Sequence, residues 1–250
     1  MSTVHPTSVP RTAKAGIFSR RSCLGLTTTA IMTACLWLTI QAPGRAAESV
    51  VNIPPPATDL PAGNAHTATA VFAGGCFWGV QAVFQHVNGV IQAVSGYAGG
   101  SAETAHYMIV GTGRTGHAEA VQISYDPQKI TYGQLLQIYF SVAHDPTQLN
   151  RQGPDTGTQY RSTLFVADAG QQRVAEAYIA QLNGSGRYPQ ALATTIEPLQ
   201  GFYRAEAYHQ DYLVHHPHSP YIMINDQPKV DNLAKAFPKQ YRETPVLVGG

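Results

Sequence analysis

Cysteine is scarce in this 250-residue chain: three residues, Cys23, Cys35 and Cys76, and none in the long stretch after Cys76. A disulfide framework downstream of Cys76 is therefore excluded, and any stability there must come from packing. Long apolar runs are also missing. The apolar stretch 24–40 is shorter than the roughly 18 residues that mark a membrane-spanning candidate. No internal repeat recurs, and the Gly-Gly and Gly-x-Gly stretches lack the lysine and helix context of a P-loop or a dinucleotide fingerprint. His215, His216 and His218 are interrupted by Pro217 and have no cysteine or paired-histidine motif nearby, so they read as a surface loop and not a metal site.

What is present begins with an asymmetric leader. Residues 1–46 carry Arg11, Lys14, Arg20, Arg21 and Arg45 but no carboxylate, and residues 22–44 carry no charge. A basic region, a mildly apolar region and small residues around Ala46 predict a cleaved signal peptide over 1–46. Arg20-Arg21 followed by Ser22-Cys23-Leu24 resembles a twin-arginine export signal, so the expected location is the periplasm. Cleavage leaves 11 basic side chains against 15 acidic ones, a net of −4. That balance offers no basic patch for nucleic acid. It also removes Cys23 and Cys35, so the exported chain keeps Cys76 as its one thiol.

Residues 47–66, with Pro54-Pro55-Pro56, Pro61 and Gly63, predict a flexible linker. Strand and helix signals then alternate through 67–242, which suits one catalytic domain, and 243–250 is left as a C-terminal tail. A strand over 67–73 ends at Gly74-Gly75. Phe77, Val80, Phe84 and Val87 recur at helical spacing until Asn88-Gly89 stops them. Cys76 therefore stands at a helix N-terminus, where free N–H groups and the dipole favour an anion, so the thiol is expected to lean toward thiolate.

Residues 118–125 alternate with period two. Glu119 shares a face with Val121, Ile123 and Tyr125, so its carboxyl is expected on the apolar side. Desolvation there raises its pKa and suits it to act as a general acid. Thr131 with Gln134 reads as a capping box opening a helix over 131–142, and Asp168 as the N-cap of a helix over 169–182. Between them lies a long polar loop, 150–158, of a length that is often functional. Residues 202–213 read as a helix dense in aromatic and polar side chains.

Six ordered blocks carry a resemblance: Gly75-Cys76-Phe77-Trp78-Gly79, Gly96-Tyr97-Ala98-Gly99-Gly100, Thr115-Gly116-His117-Ala118-Glu119, Tyr125-Asp126-Pro127, His144-Asp145-Pro146 and Gly157-Thr158-Gln159-Tyr160-Arg161-Ser162. In this order they resemble the A-type peptide methionine sulfoxide reductases, over about residues 70–242. The resemblance implies an α+β fold, a two-layer sandwich around a mixed sheet with a ferredoxin-like core and extra loops. It implies reduction of methionine S-sulfoxide, free or in peptides and proteins, as protein repair under oxidative stress. By the same resemblance Cys76 is the nucleophile that becomes a sulfenic acid and Glu119 the proton donor. Tyr97 and Tyr160 bind the sulfoxide oxygen, Asp155 belongs to the active site, and Phe77 and Trp78 form the pocket for the S-methyl group.

The sequence departs from many relatives in having no resolving cysteine near its C-terminus. With no bound cofactor and no metal expected, an external thiol must regenerate Cys76, whether a thioredoxin-like protein, a glutaredoxin or a small thiol. A monomer is expected. Gln81 stands where relatives often have glutamate, with little chemical consequence expected. The rival reading is a cysteine hydrolase pairing Cys76 with His117 or His209.

Overall fold

The computed structural model describes residues 49–248; the expected signal peptide, with Cys23, Cys35 and the paired arginines, lies outside the described residues. The elements run β1 (Ala68–Gly74), α1 (Phe77–Gln85), β2 (Val90–Ala98), α2 (Tyr107–Val110), β3 (Ala118–Tyr125), α3 (Tyr132–Ile138), β4 (Arg151–Gln152), β5 (Asp155–Thr156), β6 (Ser162–Val166), α4 (Ala169–Gly184), β7 (Thr195–Pro198), β8 (Phe202–Arg204), α5 (Tyr212–His215) and α6 (Gln227–Ala236). Two π-helical turns, Tyr139–Ala143 and Ile222–Asp226, extend α3 and precede α6.

Six strands form one sheet in the order β7-β6-β1-β3-β2-β8. All neighbours are antiparallel except β6 and β7, which makes the sheet mixed. The inner order β6-β1-β3-β2, with α1 joining β1 to β2 and α3 lying between β3 and β6, is a ferredoxin-like core. Period two sorts the side chains. Ala70, Phe72, Val121, Ile123 and Leu164 point into the large core with residues of α1, α3 and α4. Val71, Ala73, Ala118, Ala120 and Phe165 make a thinner layer on the other face, capped by Leu199 and Phe202. The helices therefore cover one face, giving two layers.

Local rules account for the helix boundaries. Thr131 accepts from the Gln134 N–H while the Gln134 side chain accepts from the Thr131 N–H, completing the expected capping box. Asp168 accepts from the N–H groups of Gly170 and Gln171 at the start of α4. The expected helix over 202–213 is not formed. Phe202–Arg204 pairs with Gly96–Ala98 as an edge strand, a short 3-10 turn follows, and Asp211 adopts φ +55°, which no helix continues through.

Residues 51–60, expected to be part of a flexible linker, are instead packed on α3 and α4. Val51 exchanges hydrogen bonds with Ser141, Ile53 is buried, and the carbonyls of Ile53, Pro54 and Pro55 accept from Gln137, Tyr178 and Gln181. Asp59 accepts from the Thr131 hydroxyl and the Gly133 N–H. A proline-rich ribbon offers carbonyls without matching donors, and side-chain amides and hydroxyls of the helices supply them. The C-terminal residues are also fastened: the N–H groups of Arg242 and Val246 donate to the carbonyls of His86 and Gln85.

Candidate active site

Gly75 turns the chain from β1 into α1 with φ +86°, a conformation that favours glycine, and the Gln152 side chain packs where a Cβ would sit. Gln152 in turn holds Asp145 through both its amide oxygen and its amide nitrogen. The β4–β5 hairpin is thereby seated on the turn, bringing Asp155 toward the sulfur. Cys76 is the N-cap of α1, as its sequence position predicts, and is 8% exposed.

The expected thiolate is not what this environment favours. Burial pushes the Cys76 thiol well above its ordinary value, the carboxylate of Asp226 and that of Glu119 in its ionised form push the same way, and the Trp78 amide opposes them. The first amide of the helix is not available to the sulfur, because the Phe77 N–H donates to Glu119 Oε2 at 3.0 Å. Desolvation and like charge outweigh the helix terminus.

Glu119 lies on the apolar face of β3 and is 3% exposed. Burial raises its pKa to about 8, with Asp155 and Asp226 adding to the rise and the Phe77 amide holding it down. The carboxyl is therefore largely protonated at neutral pH. It sits opposite Tyr97 in the β2–β3 register.

Tyr97 is fully buried against Phe77, ring centres 5.8 Å apart, and its hydroxyl donates to Glu206 at 2.8 Å. Glu206 also accepts the Tyr107 N–H at 3.0 Å. Tyr160 comes from the 3-10 turn Thr158–Tyr160, is half-buried, and has no hydrogen-bond partner for its hydroxyl among the described residues. Burial, with Glu119, Asp155 and Cys76 nearby, pushes that hydroxyl well above its usual range, so it stays a donor. Asp155 accepts a short hydrogen bond from Tyr221, and burial raises its carboxyl.

Phe77 and Trp78, adjacent on α1, diverge by one residue's rotation. Phe77 enters the main core, while Trp78 stacks face to face on Tyr212 at 3.7 Å and meets the edge of Tyr221. The Trp78 indole N–H donates to His209 Nδ1 at 3.1 Å. All seven residues singled out from sequence thus surround the start of α1.

The histidines of the rival hydrolase reading cannot serve as its base. An indole N–H can only donate, so His209 Nδ1 is the acceptor and the proton sits on Nε2. His117 Nδ1 accepts the Gly100 N–H, which leaves Nε2 to donate to the Ser101 carbonyl at 2.9 Å. Neither neutral ring keeps a lone pair for a thiol proton.

The site also contains groups that the sequence reading did not single out: Tyr107, Glu206, Tyr212, Tyr221, Asp226 and Lys229. Of these, Tyr212 and Glu206 had a local signal, the aromatic and polar density of 202–213. Gln81 proves structural: it bonds the Ala93 carbonyl and the Gln210 side chain and accepts the Asp211 N–H, so it holds the segment that presents Tyr212.

A family described as peptide methionine sulfoxide reductase matches residues 68–241. The chain is 63% identical over 180 residues to a peptide methionine sulfoxide reductase MsrA 2 of Mesorhizobium japonicum, covering 72% of this chain and 92% of that one. It is 49% identical over 177 residues to a reductase of the same name from Synechocystis, covering 71% and 81%. Among solved structures, methionine sulfoxide reductase A of Corynebacterium diphtheriae aligns with a TM-score of 0.53 at 34% identity, over 69% of this chain and 88% of that one. With a buried thiol beside a protonated carboxyl and relatives of this closeness, the chain belongs to the peptide methionine sulfoxide reductase family.

Proposed function

We propose that the protein reduces the S epimer of methionine sulfoxide, free or in polypeptides, with Cys76 as nucleophile and Glu119 as proton donor. The observation that carries this reading is the Glu119 carboxyl, raised to about 8 and fixed by the Phe77 amide beside the sulfur. A neutral carboxyl can donate to the sulfoxide oxygen where an ionised one cannot.

The Cys76 sulfur forms a bond to the sulfoxide sulfur as its own proton is released. The sulfoxide oxygen takes protons, one of them from Glu119, and leaves as water. Water then adds to the Cys76 sulfur, one of its protons returns to Glu119 and the methionine thioether departs, so the net change is transfer of one oxygen from methionine sulfoxide to Cys76 as sulfenic acid. Tyr160, with its free hydroxyl, donates to the sulfoxide oxygen. Tyr97, its hydroxyl given to Glu206, backs the site from behind Phe77. Phe77 and Trp78 bound the apolar slot for the S-methyl group, and Asp155, steadied by Tyr221, closes the polar side.

The sulfenic acid is regenerated by an external thiol. One thiol displaces water to form a mixed disulfide with Cys76, and a second thiol releases Cys76 and carries away the disulfide. This reading rests on the absence of cysteine after Cys76 and on removal of Cys23 and Cys35 with residues 1–46. The chain acts as an exported monomer, a reading that rests on the paired arginines and small-residue region of 1–46 and on the closed core of 67–242.

The test is incubation with separate S- and R-sulfoxide peptides and dithiothreitol. Methionine should form from the S peptide with wild type and not with Cys76→Ala. Absence of product from the S peptide, preferential product from the R peptide, or an active Cys76→Ala overturns the reading.

A further inference from the structure

The sulfur at the start of α1 is ringed by acids. Glu119 faces it from β3, Asp155 from β5, and Asp226 from the junction of the second π-helix with α6. The neutral tyrosines Tyr107, Tyr160 and Tyr221 stand around the same space, and Lys229 brings a cation within range of Asp155 and Asp226. Of the three carboxyl groups, Asp226 has no role in the chemistry above.

Asp226 is fully buried. Its Oδ1 lies over Gly79 so closely that a Cβ there would stand 2.2 Å from it, and the Lys229 Nζ would stand 3.0 Å from that same Cβ. Lys229, itself buried, is 3.4 Å from Asp226 Oδ1, while Oδ2 has no hydrogen-bond partner among the described residues. Gly79 follows Cys76 by three positions, nearly one helical turn, so the carboxylate occupies the side of α1 on which Cys76 stands. An ion pair placed this deep is no better for stability than apolar side chains of the same volume. Packing alone does not explain it.

We propose that Asp226, clamped by Lys229 over Gly79, is a positioning residue for the Cys76 proton, its negative charge keeping the sulfur a thiol while the site is empty. Burial raises Asp226 to about 6, which leaves it ionised at neutral pH, and its charge is the first electrostatic influence on the sulfur after desolvation. Entry of a sulfoxide, which shields the sulfur from Asp226 and supplies an acceptor, releases the proton. The inference rests on Cys76 as the redox centre. In a chain with no cysteine beyond it, a thiol held protonated is spared from electrophiles that meet it before substrate does.

The test is alkylation of the full chain by iodoacetamide across pH, in which the Cys76 thiolate forms a sulfur–carbon bond and iodide leaves, followed on the Cys76 peptide by mass spectrometry. In Asp226→Asn the midpoint should fall by about one pH unit, making alkylation below it roughly tenfold faster. A folded Asp226→Asn with the wild-type midpoint overturns the proposal and leaves Asp226 a structural residue. Should that variant not fold, Asp226→Asn combined with Lys229→Met removes both charges. A downward shift smaller than in Asp226→Asn is expected, because the Lys229 cation that offsets part of the Asp226 charge is lost with it, and an unmoved or raised midpoint overturns the proposal. Turnover is not the readout, so a failed reductase assignment shows as no methionine from wild type, whereas failure here shows as an unmoved midpoint.

Discussion

The backbone N–H of Phe77 points at Glu119 Oε2, 3.0 Å away, and not at the sulfur of the residue before it. The helix N-terminus thus divides its amides, that of Phe77 serving the acid and that of Trp78 the nucleophile. It offers one donor to a carboxyl that burial has already made neutral, and it fixes which oxygen faces the amide. The remaining oxygen is the one that can carry the transferable proton.

Glu119→Gln keeps an oxygen for the Phe77 amide but removes that proton. The reduction step should slow by about 10²-fold or more, read as methionine formed in a single turnover without added thiol. In wild type the same step should decline as pH rises through about 8, where Glu119 ionises. A Gln variant with wild-type single-turnover rate would remove Glu119 from the chemistry.

The same carboxyl makes stability depend on pH, with a defined sign. Its folded value of about 8 lies above the ordinary 4.5, so the folded chain binds the proton more tightly than the unfolded chain does. The stability this contributes is complete below the unfolded value and is lost as pH rises toward about 8, at up to about 1.4 kcal/mol per pH unit. Urea unfolding at a series of pH values should show the wild type losing more stability than Glu119→Gln across this window. Parallel curves would show that Glu119 is not protonated in the folded state.

Tyr221→Phe deletes the donor to Asp155 and keeps a ring against Trp78. The loss of a hydrogen bond to a carboxyl should cost about 1–3 kcal/mol of stability. It should also raise KM for the sulfoxide peptide several-fold with a smaller change in kcat, because Asp155 is left unsteadied while Cys76 and Glu119 are untouched. Equal KM values would detach Asp155 from substrate binding.

Deleting residues before Ala62 should destabilise a domain that the family match, beginning at residue 68, does not include them in. The buried Ile53 side chain contributes about 1.5–3 kcal/mol, and each hydrogen bond from Ser141, Gln137, Tyr178 and Gln181 adds roughly 0.5–1.5 kcal/mol before chain ordering is subtracted. A fall of several degrees in Tm is expected by differential scanning calorimetry. An unchanged Tm would mean that the packed ribbon is thermodynamically silent.

Much of this site was legible from the chain because its signals are local. Two glycines before Cys76 mark the turn, and period two alone puts Glu119 inside. Thr131 with Gln134, and Asp168, announce their helices through capping chemistry that needs only neighbours. What was not legible came from distance. The resting charge of Cys76 depends on Asp226, which approaches from the other end of the domain through a π-helical turn with no clean period. Phe202 and Tyr203 read as helical because of the residues after them, yet the open edge of β2 recruits them as a strand. The proline-rich ribbon has no periodicity to read, and its order comes from donors on α3 and α4.

The fastening of the C-terminal residues has a practical side. Val246 bonds to Gln85 and the Val248 N–H to the Asp211 carboxylate, both at the far end of α1 from the sulfur. Nine residues of helix, about 14 Å, separate the two ends. A fused reporter or an immobilising handle that leaves the chain after Val248 begins at the helix end that does no chemistry. Attachment at that end therefore suits a surface-bound sensor for oxidised methionine, with the Cys76 sulfur a helix length from the point of attachment.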